Sequence, residues 1–329
     1  MANLSLLDLI FVNEDQSLKE AFDSAVKVAK AVEHFGFKRI WAAEHHNMPA
    51  IASAATSVVI SHLAANTEKI RIGAGGIMLP NHSPLVIAEQ FGTLEALYPG
   101  RIDLGLGRAP GTDQKTVQAL RTDQKNSQNF PSDVQELQRY FSKESFEDPI
   151  VATPGMGQDI PLWILGSSTF GAQLAAHFGL PYAFASHFAP DAIADALNFY
   201  RSDFRPSKQQ VRPYVMLGVN IIIADTDEQA QYLSTSQKQS FVNLRRGVKR
   251  KFQPPIENMD EYWNEAEKQM ANHMLYFSFI GSKKTVKEKL STFLTRYHPD
   301  ELMVVTSIFD VDKKIYSLKL LSEIMEELK

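Results

Sequence analysis

Short apolar runs alternate along the chain with longer segments in which apolar residues recur every three or four positions. The run at residues 4–12 carries a single charge and predicts a strand that is buried on both faces. The next segment, from Leu18 to Val32, has the spacing of an amphipathic helix that ends at Gly36. Eight strands are predicted in this way, each followed by a helical pattern: residues 4–12, 38–43, 69–74, 101–107, 161–166, 182–186, 213–223 and 301–307.

This alternation predicts an α/β fold, a (β/α)8 TIM barrel, rather than an open doubly wound sheet. Two insertions interrupt it, a polar one near residues 109–160 after the fourth strand and another near 235–280 after the seventh. The sequence has no internal repeat and no linker-like change of composition. We therefore expect residues 1–329 to form a single barrel domain, although this length would also suit two average domains.

Composition and charge narrow the classes of function. Hydrophobic residues make up 44% of the chain and charged residues 22%, with a net charge of −4, so we expect no nucleic-acid partner. Cysteine is absent, which excludes disulfides, a thiolate zinc or iron–sulfur site and a cysteine nucleophile. Neither a signal peptide nor a membrane-spanning apolar run is recognisable, so we expect a cytoplasmic protein with no membrane partner.

Polar side chains and glycines concentrate just after the predicted strands. In a barrel these carboxyl-terminal strand ends form the active site, and here the strands behind them are apolar. The pattern therefore predicts a pocket for a small-molecule substrate at this end of the barrel. Its candidates are Asp8, Glu44-His45-His46, Gly75-Gly76, Asn81-His82, Gly107-Arg108, Gly166-Ser167-Ser168 and Ser186-His187.

The cluster Glu44-His45-His46 indicates acid–base chemistry. Either histidine suits a general acid or base, with Glu44 as a buried carboxylate or as the group that orients the ring. A metal site is disfavoured, because adjacent strand residues point to opposite faces and one ion cannot easily bind both rings. The alternative is a pair of hydrogen-bonded structural histidines.

The paired glycines Gly75-Gly76 have two interpretations. They permit the close approach of a planar ligand or an unusual peptide geometry, because neither residue carries a side chain. A β-bulge explains the same dipeptide equally well.

Arg108 and the segment Gly166-Ser167-Ser168 together suit a phosphate group. Arg108 follows the fourth strand, and the serines precede a helix whose first N–H groups are free to bind an anion. The alternatives are a salt bridge at Arg108 and an ordinary helix cap at Ser168 or Thr169. The glycines of 105–111 do not form a dinucleotide fingerprint, because their spacing differs and Pro110 interrupts them.

Several of these segments resemble the bacterial luciferase-like flavin monooxygenases. The similarity comprises blocks in the same order and spacing, over most of the sequence. They are Trp41 to His46, Ile72 to Pro80, Ala88-Glu89-Gln90, Gly100 to Arg108, Leu165 to Ser168 and Gly179-Leu180-Pro181. The opening Leu4 to Asp8 and the segment 54–57 resemble a subgroup described as luciferase-like or alkanal-monooxygenase-like.

The resemblance implies a TIM barrel, a homodimer, and the use of reduced FMN and O2, with a separate NAD(P)H:flavin reductase as partner. By the same resemblance His45 serves the flavin–oxygen chemistry with Glu44 as its neighbouring carboxylate. Gly75-Gly76 match the site of a non-proline cis peptide beneath the flavin ring, and the region near 235–280 matches a mobile lid. Arg108 matches a phosphate-binding arginine, and Gly166, Ser167 and Ser168 match the loop that completes that phosphate site. Asp8, His82 and His187 are candidates for the substrate pocket.

Two positions depart from light-emitting luciferase. Gly107 stands where that enzyme has a reactive cysteine, and Ser167 stands where it has a glutamate, which speaks against bioluminescence. The organic substrate is not readable, and an aliphatic aldehyde is one candidate. Two other functions remain open: deazaflavin-dependent hydride transfer on the same barrel, and non-catalytic flavin binding.

Overall fold

The computed structural model describes residues 2–329 and contains a closed barrel of eight parallel strands. Within these residues the sheet has nine strands. They are β1 (Asn3–Asp8), β2 (Arg39–Ala42), β3 (Arg71–Met78), β4 (Ile102–Gly107), β5 (Leu162–Gly166), β6 (Tyr182–Phe184), β7 (Val215–Ala224), β8 (Ser278–Ser282) and β9 (Glu301–Val305). The ring closes because β1 pairs with both β2 and β9, and β7 pairs with both β6 and β9. This confirms the predicted (β/α)8 TIM barrel.

Helices lie between the strands and cover the barrel. They are α1 (Leu18–His34), α2 (Thr56–Ala65), α3 (Pro84–Leu97), α4 (Gln114–Ala119), α5 (Phe130–Phe141), α6 (Thr169–Phe178), α7 (Ile193–Asp203), α8 (Asp227–Arg246), α9 (Glu265–Met274), α10 (Lys283–Tyr297) and α11 (Val311–Glu327). Short 3-10 turns occupy Leu79–Asn81, Gln124–Gln128, Lys143–Glu147 and Met259–Glu261. The insertion after β4 contains α4 and α5, and the one after β7 contains α8 and α9.

The strand β8 was missed by the sequence analysis. It pairs with Asn220–Ala224, the outer half of β7, and lies beyond the closed ring of eight. Only two of its five residues, Phe279 and Ile280, are apolar, and serines stand at both ends. An edge strand this short and polar has no apolar run to reveal it.

The first strand ends earlier than predicted. Residues 4–12 suggested one long strand, but β1 ends at Asp8. The Asp8 carboxylate accepts a hydrogen bond from the backbone N–H of Ile10 at 3.0 Å, and Ile10 has φ = 50°. The chain therefore turns away from the sheet at this point, although Ile10 and Val12 remain buried in the core.

Alternate strand residues point into the barrel, as the two-residue period of a strand requires. The interior is filled by large apolar side chains, which form one packed cluster at mid-height. Its buried members are Leu7, Trp41, Ala43, Trp163, Ala183, Met216, Met303 and Val305. Continuing the period from Trp41 and Ala43 places His45 on the interior side of the upper rim, with Glu44 and His46 on the other side.

None of the helices within residues 2–329 combines the length and the apolar character that crossing a membrane requires.

Candidate active site

Glu44 is the centre of a hydrogen-bonded cluster on the outer side of the rim. Its buried carboxylate lies 2.9 Å from Nε2 of His46, 2.9 Å from Nε2 of His82 and 2.9 Å from the backbone N–H of Met78. Burial alone would raise the pKa of Glu44, but the hydrogen bonds from His46 and His82 outweigh it and lower the pKa to about 2. Glu44 is thus an anion at neutral pH and fixes the turn that follows β3.

His45 lies on the opposite side from this cluster. Burial lowers the pKa of His45, and the Gly111 backbone and the Glu44 charge only partly oppose that effect. The ring is therefore neutral at pH 7, as a proton-transfer group in a closed site must be before it accepts a proton. Of the two adjacent histidines, His46 rather than His45 binds Glu44 directly.

His187, which follows β6, joins His45 at the interior rim. Burial and, to a smaller extent, the neighbouring His45 together lower the pKa of His187 to about 4. A Cβ on Gly218 would lie 2.2 Å from Nδ1 of His187, so only glycine leaves room for this ring. That Nδ1 atom is buried and has no hydrogen-bond partner within the part of the chain that the structure describes.

A chain of amides holds His187 in place. The side chain of Asn220 on β7 donates to the His187 carbonyl at 2.6 Å, and its Oδ1 accepts from Nε2 of Gln237 at 2.7 Å. Gln237 belongs to α8, so this contact ties the insertion helix to the barrel interior. Oε1 of Gln237 is buried and, like His187 Nδ1, has no partner among residues 2–329.

Gly75 and Gly76 are joined by a cis peptide bond, as the resemblance implied. The pairing register between β3 and β4 shifts between Ala74 and Ile77, so the bulge interpretation holds as well. A Cβ on Gly76 would lie 2.7 Å from the Gly105 carbonyl, and one on Gly75 would lie 2.7 Å from Leu7. Both positions therefore require glycine, and Gly75 keeps part of its surface exposed at the rim.

Arg108 lies over the beginning of α6. Its guanidinium carbon is 4.0 Å from the ring centroid of Phe170, the second residue of that helix. Arg108 is exposed and has no ion-pair partner among the residues that the structure describes. Ser168 occupies the N-cap position, but its hydroxyl does not cap the helix. Arg108 is therefore not a salt-bridge residue within residues 2–329, and Ser168 is confirmed as the N-cap residue of α6, though not through a side-chain hydrogen bond.

The start of α6 is held rigidly against the sheet. The Tyr182 hydroxyl donates to the Ser168 carbonyl at 3.1 Å. A Cβ added to Gly166 would lie 3.4 Å from Cα of Gly171, and one added to Gly171 would lie 3.3 Å from Cα of Gly166. Because small residues allow this close packing, the free N–H groups of the first helical turn have a fixed position beside Arg108.

The remaining candidates lie apart from one another. His82 belongs to the Glu44 cluster, and Asp8 forms a buried ion pair with Lys314 at 2.9 Å. Ser83 stands at the N-cap of α3, but its side chain makes no capping hydrogen bond. Residues 2–329 contain no group of three or more histidine, aspartate and glutamate side chains that could hold a metal ion.

Three residues of this rim were not singled out from the sequence: Phe170, Asn220 and Gln237. Asn220 had a usable signal, because it is the single strongly polar residue of the strand Val215–Ala224. Phe170 and Gln237 had none, since their contacts join segments that are far apart in the chain.

Comparison with known proteins decides the family. The sequence model of the luciferase-like monooxygenase family matches residues 3–297. The chain belongs to this family. It is therefore an oxidoreductase of the monooxygenase type, and the resemblance predicted from the sequence blocks is confirmed.

Two relatives of this luciferase-like chain cover almost its whole length. A luciferase-like monooxygenase of Escherichia coli strain K12 is 51% identical over 325 residues, which are 98% of this chain and 97% of the relative. The N-acetyl-S-alkylcysteine monooxygenase of Bacillus subtilis strain 168 is 30% identical, with 98% of each chain covered.

Solved structures show the same fold. The crystal structure of apo-MsnO8 has a TM-score of 0.88 with 30% identity, covering 99% of both chains. The FMN complex of the oxygenating constituent of 3,6-diketocamphane monooxygenase from Pseudomonas putida has a TM-score of 0.73 at 17% identity, covering 98% of this chain and 97% of that one. An F420-dependent secondary alcohol dehydrogenase has a TM-score of 0.69 at 13% identity, covering 100% and 99%.

Proposed function

We propose that this chain is the oxygenase component of a two-component monooxygenase that uses reduced FMN and O2 on a small organic substrate. The observation that carries the proposal is the guanidinium of Arg108, which has no ion-pair partner among residues 2–329 and stacks on Phe170 at the start of α6. A fixed cation beside uncapped helical N–H groups is suited to one phosphate monoester, the group that distinguishes FMN from riboflavin.

The residues present fit the phosphate end of FMN. Arg108 would bind the phosphate as a charged donor, and the backbone N–H groups after Ser167 and Ser168 would complete its hydrogen bonds. The stack on Phe170 orients the guanidinium before a ligand arrives, which lowers the entropy lost on binding. Gly166 contributes through the close packing that fixes α6.

The residues at the interior rim fit the ring system of FMN, which is its reacting end. Gly75 and Gly76 present main chain rather than side chains there, which permits a planar ring system to approach. A bound reduced flavin would supply the electrons that activate O2. His45 would hold or transfer a proton at its neutral imidazole, and the anionic Glu44 would position the neighbouring turn instead of reacting itself.

For the organic substrate we propose a small polar molecule. Nδ1 of His187 and Oε1 of Gln237 are buried and have no hydrogen-bond partner in the described part of the chain, and the two residues are joined through Asn220. Such atoms are stabilised when a ligand offers them hydrogen bonds. The 30% identical relative acts, by its name, on N-acetyl-S-alkylcysteine, which is a polar molecule. An aliphatic aldehyde offers no hydrogen-bond donor to these atoms and is the alternative.

The partner we propose is a separate NAD(P)H:flavin reductase, together with a second copy of the chain in a homodimer. The solved relative with FMN is described as an oxygenating constituent, which supports a divided system. A cytoplasmic location and a single domain over 1–329 stay predictions.

The direct test is oxygen transfer from isotopically labelled O2. Protein, reduced FMN and a panel of polar thioethers, amides and aldehydes are mixed with 18O2, and the products are analysed by mass spectrometry. Incorporation of one labelled atom into a panel member supports the proposal. Peroxide formation alone with every acceptor, together with tight binding of oxidised FMN, would favour the non-catalytic flavin-binding function.

Deazaflavin-dependent hydride transfer is the second candidate, favoured by the likeness in fold to the F420-dependent dehydrogenase. Titration with reduced F420 and reduced FMN under anaerobic conditions separates the two. Tighter binding of reduced FMN supports the monooxygenase function. Saturable binding of reduced F420 without binding of FMN would support hydride transfer instead.

A further inference from the structure

The opposite end of the barrel contains a cavity of about 280 Å³. It lies at the amino-terminal strand ends, because its lining includes the first residues of β2 and β3, Arg39 and Arg71, and Tyr214 just before β7. Its volume is just below the ~300 Å³ at which ordinary small-molecule pockets begin. The cavity is thus large enough for a small ligand and is far from the rim that carries His45 and Arg108.

The side chains around this cavity carry more positive than negative charge. Arg39 binds Asp103 at 2.6 Å and Glu301 at 2.7 Å, and these three groups are almost completely buried. Arg71 binds Asp103 as well, at 2.8 Å. Lys38 lies 3.7 Å from Glu301. Three cations therefore face two carboxylates, and the cluster has one positive charge in excess. Part of the network serves to close the bottom of the barrel, but the excess charge favours an anion.

Lys38 keeps unused hydrogen-bonding capacity. Its ammonium group donates one hydrogen bond, to the Tyr214 hydroxyl at 2.9 Å, and an ammonium has three N–H groups. Burial lowers the pKa of Lys38, so its charge is incompletely stabilised by the groups already present. The side chain is 37% exposed, so an anion in the cavity can reach the remaining N–H groups.

Trp163 and Tyr214 form an aromatic wall of the cavity. Trp163 is 3% exposed, and its Nε1–H has no hydrogen-bond partner within residues 2–329. The guanidinium of Arg39 lies 4.7 Å from the Trp163 ring centroid, and Tyr214 packs edge-on against the same ring at 5.6 Å between centroids. The wall on this side of the cavity is therefore aromatic.

We propose that this cavity is a second binding site, for a small planar carboxylate. The carboxylate would accept hydrogen bonds from the ammonium group of Lys38, and its planar body would pack against the aromatic wall that Trp163 and Tyr214 form. This site is independent of the flavin chemistry proposed for the other end of the barrel, and its test does not depend on that chemistry.

The probe is benzoate, titrated into the full chain, with calorimetry and tryptophan fluorescence as the two measurements. We expect saturable binding of one benzoate per chain and a change in tryptophan emission that Trp163→Phe removes. Benzamide, which has the same shape without the charge, should bind at least roughly tenfold more weakly, as loss of a charge-assisted hydrogen bond implies. Equal binding of benzamide and benzoate would overturn the anion site even if no variant folded.

Matched variants locate the binding. Lys38→Met should weaken benzoate binding roughly tenfold or more, because it removes the charged donor. Lys208→Met makes the same change of charge in the neighbouring exposed loop, outside the lining, and should have no effect. Absence of saturable binding, equal losses in both lysine variants, or loss of binding in Arg108→Ala would each overturn the proposal.

Discussion

The guanidinium of Arg108 stacks on the ring of Phe170, with 4.0 Å between the guanidinium carbon and the ring centroid. This contact joins the loop after β4 to the first turn of α6, two segments separated by the whole first insertion. It gives an exposed arginine a fixed orientation beside the uncapped end of a helix. The proposed phosphate site for the flavin depends on this contact between Arg108 and Phe170.

Phe170→Ala tests whether the stack orients Arg108. Removing the ring eliminates a cation–π contact of about 0.5–2 kcal/mol. We therefore expect FMN affinity to fall roughly 2- to 30-fold, measured by anaerobic titration of the reduced cofactor. Phe170→Tyr keeps an aromatic face and should bind FMN as the wild type does. Equal affinity in the alanine and tyrosine variants would show that the stack plays no part.

Glu44→Gln tests the role of the rim carboxylate. The folded-state pKa of about 2 lies below the ordinary 4.5, so the ionised form stabilises the fold by roughly 3 kcal/mol above pH 4.5. This contribution is lost as pH falls from 4.5 through about 2. Urea unfolding should show a lower free energy of unfolding for the variant than for the wild type at pH 7. This difference should shrink as the pH falls from 4.5 towards about 2. Glu68→Gln, at an exposed position, is the control and should change little.

His187→Asn tests the burial of a neutral imidazole. The folded-state pKa of about 4 is below the ordinary 6.5, so the unfolded chain binds the proton first and the wild type loses stability as pH falls from 6.5 to 4. The asparagine variant cannot titrate and should show a flatter dependence in this interval. His177→Asn, on the exposed side of α6, should keep the wild-type slope. A wild-type slope in His187→Asn would contradict the assigned environment.

His45→Gln separates catalysis from binding. A proton-transfer group contributes roughly 10²- to 10⁴-fold to a rate, so turnover with an accepted substrate should fall by that order. FMN affinity and the unfolding midpoint should remain near the wild-type values, because His45 is not in the phosphate site. His46→Gln is the informative comparison, since His46 belongs to the Glu44 cluster and should affect stability more than turnover.

The barrel was predictable from the sequence because short, mainly apolar runs alternate regularly with helical segments. The strand β8 was not, because its residues are mostly small or polar and its position depends on pairing with Asn220–Ala224. Strand geometry likewise predicts part of the candidate site but not all of it. The two-residue period separates Glu44 and His46 from His45, but only the folded chain shows that Glu44 binds His82.

Long-range contacts account for what remained hidden. The pairing of Arg108 with Phe170, and of Asn220 with Gln237, joins segments whose distance in sequence gives no local signal. The cavity beside Trp163 likewise arises from the ends of several strands and from the loop before β7. Such features form only when the barrel closes. The periodicity of the sequence predicts a barrel, but it does not show which side chains meet in it.

The most direct test of the central claim is anaerobic titration of the wild type and Arg108→Ala with reduced FMN and with reduced riboflavin. The two ligands differ by the phosphate alone. Losing a charge-assisted hydrogen bond, worth about 1.5–3 kcal/mol, should weaken FMN binding roughly 10- to 100-fold and leave riboflavin binding unchanged. Equal losses for both ligands, or no loss for FMN, would contradict the assignment of Arg108 and α6 as the phosphate site.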